Sequence, residues 1–227
     1  MEQKLKYDFS DSLARIDRVL ESNGVEYRRF SQIVDIASQD KVKGGFSDAV
    51  VIGMRFSFAS EDFSRLAQAK IYDILLSEEL RIVQSSPLFF SYIVGGHTIK
   101  GIFQINQQSD YDHLMDVAAK MLSFVDVLNV KIGRKPVLLK ATCAIDSNLL
   151  FVSSFSGKNE LLGTVMERMD EALNSEVRKL FVSEYVRDML KEQYQNFFEK
   201  SDIKSFYEGK VENVGMSQWI AKQLEEK

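Results

Sequence analysis

Hydrophobic positions fall into a regular order of runs and stripes from Asp48 onward. Residues 49–58, AVVIGMRFSF, are almost continuously apolar, which predicts a buried strand. Ser60 then opens a stretch in which Phe63, Leu66, Ala67, Ile71, Ile74 and Leu75 recur at helical spacing. Pro87 stops that stripe. LFFSYIV reads as a second strand, Gly95-Gly96 as a two-residue hairpin turn, and TIKGIFQIN as its antiparallel partner. Ser109 or Asp110 caps a long helix carrying Leu114, Val117, Ala118, Met121, Leu122, Val125 and Leu128. After Pro136 the pattern predicts a strand in VLLKATCAI, a turn at Asp146-Ser147-Asn148 and a further strand in LLFVSSF.

The order over 48–155 is therefore β-α-β-β-α-β with one added strand, the split-βαβ pattern of an α/β (α+β) ferredoxin-like core. Two helices cover one face of such a sheet, and something else must cover the other. The rest of the chain predicts a helix over 158–173 (Leu161, Leu162, Val165, Met169, Leu173), a short strand in KLFVS, a helix over 184–198 and a terminal piece ending WIAKQLEEK. At the other end, Ser10 or Asp11 caps a helix striped by Leu13, Ile16, Val19 and Leu20 and stopped by Gly24. Residues 25–46, with Gly44-Gly45, keep no period and read as a connecting arm. We take 1–44 as N-terminal helix and arm and 45–227 as one domain, because no shift in composition or flexible linker divides the latter.

Composition narrows the function classes. A chain of 227 residues with 45% hydrophobic and 27% charged positions can bury a sizeable core, so it needs neither disulfides nor a structural metal. One cysteine, Cys143, cannot bridge internally, and the N-terminal stretch lacks an apolar export signal, which together predict a cytoplasmic protein. No apolar run approaches the roughly 20 residues that span a bilayer, so no membrane association is expected. With 29 basic against 33 acidic residues the net charge is −4, which disfavours nucleic acid as a partner. The local basic group Lys131, Arg134 and Lys135 reads as a solvated loop beside Gly133 and Pro136.

Candidate chemistry is sparse. The two histidines, His97 in the hairpin and His113 in a first helical turn, have no zinc-ligand spacing, and both read as surface residues. Cys143 sits mid-strand, where a thiol behaves as a small buried hydrophobe. Neither a Walker nor a Rossmann glycine pattern occurs, since Gly95-Gly96 leads into a strand rather than a helix. The carboxylates Glu78-Glu79, Asp110/Asp112 and Glu225-Glu226 read as solvated faces. Phe89, Phe90, Tyr92 and Trp219 have core or interface spacing.

Several blocks taken in order resemble class III nucleotidyl cyclase domains, most closely the bacterial pyrimidine cyclases of the Pycsar antiphage systems. AVVIGMRFSFASE resembles the family's first strand and turn, AKIYDILLSE the helix after it, and YIVGGHTIKGIF the hairpin that reads I-x-G-D-x-V-x-G-V-F. AAKMLSFVDVLNVKI, VLLKATCAIDSNLLFVSSFSG, KLFVSEYVRDML and FYEGKVENVGMSQWI resemble later blocks, so the likeness runs over about 45–220. It implies a cyclase-homology fold, a site made between two paired chains, and two divalent cations held by one aspartate on the first strand and one in the hairpin.

The same resemblance places Gly53 at the first aspartate position and Gly96 or His97 at the second. None of these offers the anionic oxygens that magnesium requires. Asp48 stands five residues from Gly53, about 16 Å along a strand and on its other face, and cannot substitute. Glu61 and Asp62 follow the strand and could serve only if the turn folded back. The family's asparagine and basic residue, four apart on a helix, correspond to Thr164 and Arg168, and Arg55 aligns within the first strand. Arg168 reads equally as a phosphate contact or a solvent-facing helix arginine. These departures imply a dimerising pseudo-cyclase with no catalytic residue and no metal cofactor. It would pair as a homodimer, or as a heterodimer with a cyclase-like chain, in a regulatory or nucleotide-sensing role. The alternative is an active pyrimidine cyclase making cUMP or cCMP with displaced ligands and Mg or Mn.

Overall fold

The computed structural model describes residues 14, 17, 21, 27–33, 35–36, 44–58, 64–133, 139–155, 158–175 and 177–225, with only the backbone of Tyr27 and Phe155. Of the predicted N-terminal helix only Ala14 and Asp17, both helical, and Glu21, in a turn, are described; its stripe Leu13, Ile16, Val19 and Leu20, and Ser60, Glu61, Asp62, Phe63, Arg134 and Lys135, lie outside the described residues. Nine strands form one sheet, crossed by six helices among the described residues. Its spine is a pair of long antiparallel strands, β2 (Gly44–Phe58) and β5 (Leu139–Phe155), in continuous register from Gly44 opposite Ser153 to Phe58 opposite Leu139. On one side of β2 lies the hairpin β3 (Phe89–Gly95) and β4 (Thr98–Phe103). On the far side of β5 come β7 (Leu180–Ser183), β9 (Phe206–Gly209) and β8 (Glu199–Lys200), giving the order β3-β4-β2-β5-β7-β9-β8. Two short strands lengthen the spine at its end, β1 (Tyr27–Arg29) parallel to β2 and β6 (Lys158–Leu162) antiparallel to β5.

Strand alternation divides the core in two. Val50, Ile52, Met54 and Phe56 of β2, with Leu139, Ala141, Cys143 and Ile145 of β5, face α1 (Arg65–Gln84) and α2 (Ser109–Ile132). All seven predicted stripe positions of α2, Leu114 to Leu128, are buried there. The alternate residues Ala49, Val51, Ala144, Leu150 and Val152 face α3 (Thr164–Leu173), which contributes Val165, Met169, Ala172 and Leu173, together with Ile33 and Ile36. Burial on both faces is why 49–54 reads as an unbroken apolar run rather than an alternating one. Of the remaining helices, α4 (Glu184–Met189) packs on β5, β7 and β9, α5 (Glu192–Gln195) follows it, and α6 (Val214–Glu225) lies along α2. No described helix is long and apolar enough to cross a membrane.

Several elements depart from the sequence expectation, each for a local reason. The arm over 25–46 contributes β1 and the first residues of β2. Helix α1 starts at Arg65, capped by the Ser64 hydroxyl accepting from the Ala67 amide at 3.2 Å. Its sheet-facing row is Ile71, Leu75, Glu79 and Val83, and Leu66 and Ile74 lie off that row and are exposed. The hairpin turn is Gly96-His97, with Gly95 paired to Thr98; Gly96 supplies the φ of 58° that the turn requires. No turn interrupts β5 at Asp146-Ser147-Asn148, because these residues pair with Val51, Val50 and Ala49 of β2. Residues 158–162 are strand rather than helix, since Leu161 and Leu162 pair back onto Val152 and Phe151. The predicted helix over 184–198 breaks at Leu190, whose extended backbone is held by the Gln195 side-chain amide donating to its carbonyl at 2.7 Å.

Candidate functional site

Gly53, Arg55, Thr164 and Arg168 lie on or beside α3, whereas Gly96 and His97 do not. Gly53 sits mid-strand, opposite Lys100 on β4 and Ala144 on β5. A Cβ built on it would point at α3, 2.7 Å from Met169 Cε, 2.9 Å from Leu173 Cδ1 and 3.6 Å from Lys100 Cγ. The side-chain tips of Met169 and Leu173 on α3 thus occupy the space that a β-carbon at 53 would take. Lys100 is almost buried, and its ammonium reaches Asp170 Oδ1 at 2.8 Å and donates to the Met166 carbonyl at 3.2 Å. The Lys100 stem thus passes beside Gly53, and its ammonium ends in an ion pair with the largely exposed Asp170.

Two further polar ties fasten α3 to the sheet. Arg168 Nε lies 3.4 Å from Asp146 Oδ2, with its guanidinium over the Phe206 ring at 5.7 Å. Asp146 is fully buried; its Oδ1 accepts from the Ser147 amide, and burial pushes its carboxyl up while Ser183, Arg168 and that amide pull it back. At the end of the helix the Arg55 guanidinium donates to the Asn174 side-chain oxygen. Thr164 opens the helix, exposed. The three sequence candidates do not converge. Thr164 and Arg55's partner Asn174 stand ten residues apart, about 15 Å along the helix, and Arg168 turns inward to a carboxylate.

The second position picked out by the resemblance, Gly96 or His97, is elsewhere. His97 and Gly96 are exposed at the hairpin tip, and the His97 ring leans toward α1, with Nδ1 2.9 Å from the Tyr72 hydroxyl and its plane edge-on to Phe56. Gly53 faces α3, whereas His97 packs with α1-side groups. Two divalent cations do not fit this set of residues. Among the described residues no three His, Cys, Asp or Glu side chains converge as a metal cluster. Asp48 is exposed on β2 and pairs with Arg29 at 3.5 Å.

Other candidates resolve differently from their sequence reading. His113 is half-buried, its Nε2 3.0 Å from the Ser86 hydroxyl. Asp110 is buried and accepts from the Asn106 and Gln107 amides, and Glu79 is fully buried in the α1/α2 core; neither is a solvated helix carboxylate. Cys143 is buried, and burial pushes its thiol well up, as a core cysteine requires. Phe89 and Phe90 pack into opposite cores and leave Tyr92 exposed. Trp219 is half-buried with Lys131 over its ring at 5.0 Å. Sequence reasoning missed Lys100, Asp170 and Asp146 as a group. The one available signal was a lysine inside the apolar strand TIKGIF. Two clefts, of about 490 and 460 Å³, lie away from this region, between α2 and the 194–197 and 210–214 segments and around Phe197 and Lys210.

No family model matches the sequence, and no curated protein matches it significantly. Solved structures do match in fold. The adenylyl cyclase CyaB from P. aeruginosa superposes with a TM-score of 0.61 at 12% identity, over 76% of this chain and 98% of that one. The guanylyl cyclase Cya2 gives 0.60 at 11%, over 76% and 96%. A class III adenylyl cyclase-like ATP-binding protein from Pseudomonas aeruginosa gives 0.59 at 14%, over 92% of this chain and 48% of that one. The chain has the class III nucleotidyl cyclase fold.

Proposed function

We propose that this chain is a catalytically degenerate nucleotidyl cyclase-like protein that acts by pairing, with itself or with a cyclase-like chain, as a regulatory module. The observation that carries this reading is the filled space beside Gly53. Where the family resemblance places a metal-binding carboxylate, this chain has glycine, two apolar side-chain tips and the stem of Lys100, whose ammonium is tied to Asp170 farther along. The nearby acid, Asp170, is already paired with Lys100 and is not offered to a divalent metal. A place in bacterial antiphage signalling rests on the likeness to Pycsar pyrimidine cyclases, and a cyclic-nucleotide effector encoded beside this chain would support it.

The test is turnover. Purified protein incubated with UTP, CTP, ATP or GTP and magnesium or manganese is expected to form no cyclic product. Cyclic nucleotide that disappears on Glu61→Ala or Asp62→Ala would overturn the reading and establish an active cyclase with displaced ligands. A second reading, nucleotide binding without turnover, is favoured by the likeness to a cyclase-like protein described as ATP-binding. Saturable ATP or UTP binding without product would select it.

A further inference from the structure

Strand β3 ends the sheet, and its outer edge pairs with no described strand. Tyr92, Ile93 and Val94 are 44%, 37% and 43% exposed. The strand FFSYIVG contains neither a charged residue nor a proline, and its register irregularity lies at Phe89/Ser91, which leaves 92–95 regular. Sheets ordinarily blunt such an edge with lysine, proline, a bulge or a covering segment, because its unpaired N–H and C=O groups template another strand. Among the described residues none of these devices protects 92–95.

The direction of each backbone group follows from its neighbours. The His97 carbonyl accepts from the Phe56 amide at 3.0 Å on the β2 side, so Thr98, one residue on, turns its own groups toward β3 and pairs with Gly95. The Gln104 amide donating to the Leu88 carbonyl at 2.9 Å keeps the same parity. Gly95 and Ile93 are thus engaged with β4, while Tyr92 and Val94 direct their N–H and C=O groups outward.

We propose that β3 is the docking surface for a second copy of this chain, the two strands pairing antiparallel about a two-fold axis through Ile93 so that two sheets become one. This rests on the pairing reading above and names its surface. In that register Tyr92 exchanges both backbone bonds with the partner's Val94 and Val94 with the partner's Tyr92, which uses all four outward groups of the triplet on each side. Ile93 meets its own equivalent at a non-hydrogen-bonded position, where Cα atoms come within about 4.5 Å. Tyrosine opposite valine is a favourable aromatic and β-branched cross-strand pair. The charge pattern selects a second copy, because two-fold pairing sets like beside like and any charge on this strand would meet itself. β3 has none, and Lys100, opposite Ile93 within the chain, is already neutralised by Asp170.

Sedimentation of the whole chain with two variants tests this. Val94→Pro removes only an outward N–H, leaving the β3·β4 ladder intact. Ile93→Lys leaves every backbone bond in place and sets two ammonium groups face to face. Each is expected to weaken the dimer at least about tenfold, a loss of about 1.4 kcal/mol, with thermal unfolding still cooperative. Ile93→Cys is expected to give a disulfide-linked dimer on mild oxidation, its Cα separation being within bridging range, with the other cysteine, Cys143, buried. Tyr92→Cys, which faces the partner's Val94, is expected not to cross-link. A parent chain that remains monomeric at about 100 µM overturns both this interface and the pairing reading. A dimer indifferent to Val94→Pro and Ile93→Lys, or one that fails the Ile93→Cys cross-link, overturns the β3 interface alone and leaves pairing to another surface.

Discussion

Glu79 is the least compensated polar group in the core. It falls four residues after Leu75 on the buried row of α1, and both carboxylate oxygens lack a hydrogen-bond partner among the described residues. Burial pushes its carboxyl well above the ordinary carboxylate range, with Glu78 adding to the effect. The unfolded chain ionises this group near pH 4.3, whereas the folded chain keeps it protonated to a higher pH. The unfolded state therefore binds fewer protons across that window, and stability falls as pH rises through it. Glu79→Leu removes an unsatisfied buried polar group without opening a cavity. It is expected to stabilise the fold by about 1–3 kcal/mol at pH 7, with an advantage at pH 8 larger than at pH 5. Urea unfolding at the two pH values measures this, and a variant no more stable than the parent at pH 8 would show that the carboxyl is compensated. Sequence alone read Glu78-Glu79 as a solvated pair, because which helix row meets the sheet is decided by packing rather than by charge pattern.

At the scale of elements, the seating of α3 on the sheet depends on a glycine and an asymmetric ion pair. Gly53→Ala would drive a methyl into Met169 and Leu173 and is expected to cost about 1–3 kcal/mol through overpacking. Adding Met169→Ala opens room for that methyl, so the two changes together should cost less than the sum of each alone. Strict additivity in a double-mutant cycle would mean that the contact is not made. The ion pair behaves unequally. Asp170→Ala leaves a nearly buried ammonium with one carbonyl for company, whereas Lys100→Met keeps the apolar stem and strands only an Asp170 carboxylate that is 58% exposed. The first change is expected to be clearly the more destabilising, and equal losses in chemical denaturation would contradict it. The helix α2 was legible in the sequence because its seven stripe positions serve one purpose, burial. The segment 158–173 was not, because Leu161 and Leu162 satisfy a helical period and a strand pairing equally, and only the β5 register decides. The glycine at 53 was visible as a departure from a family pattern. What stands beside it was not, since Lys100 reaches it through the β2·β4 register and Asp170 through the pose of α3.

Across the whole molecule the two faces of the sheet are built differently, and this predicts which opens first. The α1/α2 face buries the large continuous core, with twelve residues of α2 alone buried along a helix of 24. The α3 face is held by a helix of ten residues with four buried, begun at Gly163 without a side-chain cap and fastened through Arg168, Asp170 and Asn174. Free energies of local opening follow buried apolar contact and backbone protection. Amides of 164–173 are therefore expected to exchange with solvent through a sub-global opening, while those of the buried face of α2 exchange only on global unfolding. The Asp170 partner is largely exposed and screened by salt, so raising ionic strength should speed exchange in α3 selectively. Native-state hydrogen exchange resolves both effects. Equal protection of α3 and α2, or a salt response shared by both, would mean that the sheet and all its helices open as one unit and that the ties across α3 add nothing separable to the core beneath them.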